Sequence, residues 1–318
     1  MGKKLENALG IINGTIGDYL ARTGNGLATP MGLVHAGQPL AVEREALAQA
    51  YPDASGRVVV LLHGVMCTEA VWELPAGGDY GAFLARDFGF SPLYVRYNSG
   101  LAIADNGLAL AELAESLVAE WPRPIEEILL LGFSMGGLVA RSACHVASAE
   151  RFTWLPRVRR AIYVGTPHLG APLERIGRTA TKLLRAVGDP YARLVAEIGD
   201  LRSEGVKDLG DAHLRHEDRA GAESLALGDA RHPVPLLPEI KHYLVAGSLA
   251  SEPRLAALFG DALVPLASGT NGLRAAPGTL ALPPGHVKVF ADMGHMTLAH
   301  HRDVYAQIHE WCEASQGE

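Results

Sequence analysis

The chain has 318 residues, of which 28 are basic and 35 acidic, giving a net charge of −7, and 48% are hydrophobic. That supports a large core, as one α/β domain or two smaller ones, and gives no electrostatic ground for a nucleic-acid or anionic-membrane partner. Three scattered cysteines, Cys67, Cys144 and Cys312, have neither metal-ligand spacing nor the clustered even count of a disulfide framework, and point to a reducing, cytoplasmic compartment.

Residues 1–50 read as an N-terminal extension. Its start, Met1-Gly2-Lys3-Lys4, is basic, but Gly10, Asn13, Gly14, Gly17 and Asp18 interrupt the Leu9 to Leu20 stretch too often for a signal-peptide core. Glu6 breaks the myristoylation pattern, and no apolar run is long enough to span a bilayer. A short helix and then a strand pair between Gly32 and Val42, turning at Ala36-Gly37-Gln38, are expected there. The rest, 51–318, reads as one domain. Arg57 to Leu62 is a β-branched apolar run of the kind buried on both faces of a parallel sheet. A second strand is expected over Pro92 to Tyr97. A helix follows from about Asp105 to Trp121, with Leu110, Leu113, Leu117 and Trp121 at helical spacing and Pro122 ending it.

Ile125 to Leu131 is the next strand, and it runs into Gly132-Phe133-Ser134-Met135-Gly136-Gly137. A Gly-x-Ser-x-Gly on a strand-to-helix turn forces the serine into a strained backbone conformation with its hydroxyl out of the sheet edge. Gly132 and Gly136 supply the nearly side-chain-free positions the turn needs, and the helix from Met135 to Ala149 aims its positive end at Ser134. The simpler reading, a serine that merely caps a helix, competes with this one. A strand over Val158 to Val164 completes an alternation that predicts a mostly parallel, doubly wound sheet with helices on both faces.

Residues 171–239 are charged, helix-prone and without a buried-strand pattern, and read as a helical cap or lid insertion. Leu183, Leu184, Val187, Leu194, Val195 and Ile198 recur there at helical intervals, suited to packing the cap on the core or to facing lipid. The sheet resumes over His242 to Gly247 and His286 to Phe290, and a last helix covers Arg302 to Ala314.

A serine hydroxyl becomes a nucleophile when an imidazole takes its proton and a carboxylate fixes that imidazole. With the serine on this turn, the acid and then the histidine follow on loops after later strands. His295, past the last strand, and Asp261, after the preceding one, stand in that order. His300 and His301 are rival bases, and Asp292 and Glu252 rival acids. His63-Gly64 directly follows the first strong strand. An amide just after such a pair, that of Val65, and the amide after the nucleophile, that of Met135, are the expected oxyanion donors. Gly64 lets backbone and substrate approach, and the His63 ring orders the loop.

These pieces, with Gly165-Thr166-Pro167-His168-Leu169-Gly170, Asp261-Ala262-Leu263-Val264-Pro265 and Gly294-His295-Met296, resemble the α/β-hydrolase superfamily. The likeness is to its bacterial lipase and esterase branch and the GPI inositol-deacylase-like proteins, over about residues 57–312. The resemblance implies an α/β-hydrolase fold with a triad of Ser134, Asp261 and His295. It implies a serine-dependent carboxylic-ester hydrolase acting on a small-molecule or lipid ester, with no metal and no organic cofactor. His168 has no triad role in that scheme, and the first 50 residues have no counterpart. An acyltransferase or thioesterase would use the same residues, and a non-catalytic binding module on this fold is the reading from a different class. A haloalkane dehalogenase or epoxide hydrolase is disfavoured, because those place a carboxylate where Ser134 stands. Oligomeric state is not readable from the sequence.

Overall fold

The computed structural model describes residues 3–171, 203–217, 234–249, 261, 264–271 and 282–314. Its centre is an eight-stranded sheet of order β2-β1-β4-β3-β5-β6-β7-β8. The strands are β1 (Gly32–His35), β2 (Gln38–Leu40), β3 (Arg57–Leu62), β4 (Ser91–Arg96), β5 (Glu127–Phe133), β6 (Val158–Val164), β7 (Lys241–Ser248) and β8 (Val287–Ala291). From β4 to β8 every pairing is parallel, while β1 pairs antiparallel with both β2 and β4. The expected mostly parallel sheet is therefore the one the chain forms.

Apolar strand residues alternate between two cores, as the two-residue period of a strand requires. Val58, Val60 and Leu62 of β3 and Ile128 and Leu130 of β5 face one cluster, whereas Val59, Leu61, Leu129 and Leu131 face the other. The first cluster is closed by α1 (Lys3–Arg22), α4 (Ile103–Glu120) and α5 (Met135–Glu150). The second is closed by α3 (Tyr80–Phe88) and by α8 (Arg302–Ala314), with Tyr80, Leu84, Ile308 and Trp311 buried in it. A strand buried on both faces must be apolar along its length, which is why the runs in β3 and β5 show no polar alternation.

The N-terminal extension is part of this architecture. The β1–β2 turn falls at Ala36 and Gly37, both at positive φ (49° and 74°), the conformation of a tight type I′ hairpin. β1 then extends the sheet next to β4. The helix expected to be short runs for 20 residues, with a break at Ile16 (φ −133°, ψ 18°). Two helices without a counterpart in the sequence reading, α2 (Arg44–Ala50) and α3, flank β3. Asp79 caps α3 by accepting from Ala82 N–H at 2.9 Å, and Gly89 ends it in the left-handed conformation.

Of the expected cap, 172–202 and 218–233 lie outside the described residues, and with them Leu183, Leu184, Val187, Leu194, Val195 and Ile198. Its described part includes α6 (Glu204–Asp211), capped by Ser203 Oγ at 3.3 Å from Val206 N. α6 docks on α4, where buried Asp208 accepts the Ile103 amide at 2.9 Å. No helix among the described residues is long and apolar enough to cross a membrane.

Candidate active site

Ser134 sits between β5 and α5 with φ 53° and ψ −121°, a conformation that is sterically costly for any residue with a Cβ and held only by its surroundings. Those surroundings are close-packed. Ser134 N–H donates to Val164 O at 2.8 Å, tying the turn to β6. A Cβ on Gly132 would lie 2.6 Å from Gly137 Cα, and one on Gly136 would lie 2.6 Å from His63 O. Side chains at either position would drive α5 off β5 and β3, so the two glycines let the turn close.

Asp261 and His295 meet beside this turn. His295 opens a one-turn helix, α7 (His295–Leu298), just past β8. Its amide donates to Asp261 O at 2.9 Å, and its Nδ1 lies 2.7 Å from Asp261 Oδ2. Asp261 Oδ1 accepts the Val264 amide at 2.7 Å, so the carboxylate is held at both oxygens. An ionised carboxylate only accepts, which places the proton on Nδ1 and leaves Nε2 with a free lone pair. Asp261 and His295 are 2% and 6% exposed, and His295 Nε2 and Ser134 Oγ are both buried without a hydrogen-bond partner. The Phe133 ring stands 5.0 Å from the His295 ring, and a Cβ on Gly165 would touch His295 Cε1 at 3.1 Å. The imidazole is thus wedged between the ends of β5 and β6, against the serine turn.

The described rival residues have other surroundings. The His301 ring accepts the Asp303 amide at 3.2 Å and caps the start of α8, and Asp292 is exposed. His300 is half-buried, and burial holds its imidazole below the ordinary histidine range. Glu252 lies outside the described residues.

The loop after β3 is ordered by His63. The Tyr97 amide points at its Nε2 (3.3 Å), and an amide can only donate, so Nδ1 carries the proton and donates to Gly64 O at 2.8 Å. Gly64 O also accepts the Cys67 amide at 3.2 Å. Gly64 O and Val65 N–H belong to one trans peptide, so pinning the oxygen turns the Val65 N–H the opposite way. Gly64 itself backs on Ser134, where an added Cβ would lie 3.1 Å from Ser134 Cβ. Met135 N–H is the first amide of α5 and so among the helix's intrinsically unpaired donors. Burial lowers the His63 pKa to about 4, so the ring is neutral and serves as a strut.

Other supports went unseen in the sequence. Tyr97 stacks on His63 at 4.2 Å and donates its hydroxyl to His63 O at 2.7 Å, and Ser99 Oγ accepts the Met66 amide at 3.0 Å. Their one legible signal was position, just past the carboxyl end of a parallel strand. His168, in the loop after β6, takes Arg141 Nη1 on its Nδ1 at 3.1 Å, while Arg141 Nη2 reaches Val234 O at 2.5 Å. This buried arginine ties α5, the Thr166 to His168 loop and the residues leading into β7.

Cys67 is only partly covered, yet burial of its thiol pushes the pKa up to about 12. The thiolate is the reactive form, so at neutral pH iodoacetamide should leave native Cys67 unmodified and label all three cysteines after unfolding. A Cys67 adduct on the native protein would contradict this environment. Among the described residues, no group of acidic, histidine and cysteine side chains is arranged to hold a metal ion.

Residues 109–214, about a third of the chain, match the family model of the PGAP1-like alpha/beta domain. No curated protein matches the chain. Among solved structures, the Bacillus licheniformis lipase BlEst2 aligns over 76% of this chain and 86% of its own, at 18% identity and a TM-score of 0.46. The Pyrococcus furiosus esterase Pf2001 aligns over 82% and 83% at 13% identity and 0.46. A hormone-sensitive lipase from a metagenome library aligns over 91% and 87% at 14% identity and 0.43. The chain thus joins a mostly parallel sheet to a serine turn between β5 and α5, and over residues 109–214 it is similar to the PGAP1-like alpha/beta domain.

Proposed function

We propose that the protein is a serine-dependent carboxylic-ester hydrolase. The observation that carries the reading is the 2.7 Å Asp261–His295 contact, set against a strained serine whose hydroxyl is buried and unpaired. Ser134 Oγ attacks the ester carbonyl as His295 Nε2 takes its proton, and Asp261 stabilises the imidazolium. The Val65 and Met135 amides receive the oxyanion; one such donor is typically worth about 10²–10³ in turnover. His295 then returns the proton to the leaving alcohol, and later deprotonates the water that releases the acid from Ser134. An unbonded Oγ and Nε2 in the free protein suit this cycle, since such hydrogen bonds tighten when substrate binds. The chemistry asks for no metal or organic cofactor. The proposal includes a cytoplasmic setting, on the ground of three scattered thiols.

A series of p-nitrophenyl esters of increasing acyl length tests it. Hydrolysis with a defined optimum is expected, and the optimum separates a small-ester esterase from a lipase. Absence of turnover on every ester would contradict the reading and favour a transferase with a dedicated acceptor, or a binding module.

A further inference from the structure

The face that α1 turns to the site is made of glycines. A Cβ on Gly14 would lie 2.5 Å from Met66 Cγ, 2.7 Å from Met66 N and 2.8 Å from Met66 Cα. One on Gly10 would lie 2.9 Å from Cys67 O, and one on Gly17 would overlap the Asn98 side chain. Real Cβ atoms do not approach backbone this closely, so α1 lies directly on the Gly64 to Cys67 turn with no side chain between.

The break in α1 at Ile16 falls at this contact. Around it the helix carbonyls are taken up by groups from outside the helix. Gly14 O accepts from Ser203 Oγ at 2.7 Å, Gly17 O accepts from Asn98 Nδ2 at 2.9 Å, and Gly100 backs against Asn13 O. Asn98 Oδ1 in turn accepts the Gly100 amide at 3.0 Å, and Ser99 Oγ, between them, accepts the Met66 amide. The residue so enclosed, Met66, has a left-handed backbone (φ 61°), which a side-chain-bearing residue keeps only where its neighbours impose it. Met66 adjoins Val65, whose N–H is one of the two oxyanion donors of the proposed reaction.

We propose that α1 is a working part of the active site: its glycine face clamps the Gly64 to Cys67 turn, and Gly14 is a positioning residue that holds Met66 left-handed and so keeps the Val65 amide aimed at the oxyanion. This rests on the ester-hydrolase reading. The clamp acts on transition-state stabilisation, because the oxyanion forms only as Ser134 attacks. A purely structural contact would shift stability and leave that term alone.

The test compares wild type with Gly14→Ala, Ser99→Ala and Gly26→Ala, the last a control because nothing lies within 4 Å of a Cβ at Gly26. The readouts are kcat and KM on p-nitrophenyl butyrate, affinity for an alkyl trifluoromethyl ketone whose adduct carries the oxyanion, and Tm. Gly14→Ala is expected to lower kcat at least tenfold and to weaken the ketone by a similar factor, with KM within twofold. Ser99→Ala adds no volume and keeps the test open if Gly14→Ala does not fold; it should move kcat and ketone affinity the same way by a smaller factor. Gly26→Ala should match wild type. Kinetics and ketone affinity within twofold of wild type in the folded variants, or a loss confined to KM and Tm, would overturn the clamp. A wild type that neither hydrolyses the ester nor binds the ketone would overturn the ester-hydrolase reading instead, and the clamp with it.

Discussion

Ser134→Ala is expected to lower kcat on esters by roughly 10⁴–10⁶-fold while the protein stays folded. The size follows from the proposed mechanism, in which the variant would lose covalent catalysis but keep the Val65 and Met135 amides and the binding surface, which alone leave a residual rate above that in water. Stability should hold or rise slightly. The hydroxyl that is removed is buried with no partner, so its loss breaks no hydrogen bond. Alanine must still adopt φ 53°, so the strain of the turn is unchanged. Steady-state kinetics on the best p-nitrophenyl ester, with a thermal melt of the same sample, checks both halves. Near-wild-type turnover in a clean preparation of the variant would remove Ser134 from the chemistry.

A second large effect is expected in acid, and it comes from three histidines held neutral by the fold. His63 takes the Tyr97 amide on Nε2, His168 takes Arg141 on Nδ1, and His242 Nδ1 faces the Tyr163 hydroxyl at 3.0 Å while its Nε2 donates to Leu237 O. Burial lowers His63 and His242 to about 4, and pushes His168 well below the ordinary range, helped by the Arg141 charge. In the unfolded chain each protonates near 6.5, so between pH 6.5 and 4 the unfolded state binds more protons and stability must fall as pH falls. Above pH 6.5 these groups contribute no slope. For His63 and His242 the loss by pH 4 is of order 3 kcal/mol each, at about 1.4 kcal/mol per pH unit. Urea midpoints from pH 7.5 to 4.5 should decline steeply below 6.5, and His242→Asn should flatten the decline by about one histidine's share. A midpoint constant between pH 7 and 5 would contradict the neutral, buried assignment of these rings.

Much of the central sheet was legible because its strands announce themselves. β3 coincides with the Arg57 to Leu62 run, since a strand covered on both faces must be apolar along its length, and β6 coincides with Val158 to Val164, whose apolar stretch is Ala161 to Val164. The Ser134 turn was legible for a related reason: two close approaches of backbone to backbone leave glycine as the residue that fits at 132 and 136. The Asp261 to His295 contact was suggested by order along the chain, but the 2.7 Å distance depends on two loops meeting across strand ends, which no local pattern encodes.

The N-terminal segment was illegible for the opposite reason. Gly10, Gly14 and Gly17 weaken a helix in isolation and read as interruptions, yet in the folded chain they are what lets α1 lie on the Met66 turn. The pairing of β1 with β4 is likewise non-local, joining Gly32 to Arg96. Tyr97, Ser99 and Asn98 carry no motif, and their importance is visible only once the turn they support is in place.

Ser134 as the nucleophile is tested most directly by peptide mass spectrometry after reaction with an alkyl fluorophosphonate, which transfers a phosphonyl group to an activated serine and releases fluoride. A single adduct is expected on the peptide containing Ser134, formed in parallel with loss of ester turnover and absent from Ser134→Ala. No adduct at Ser134, or an adduct elsewhere with turnover lost in step, would contradict it.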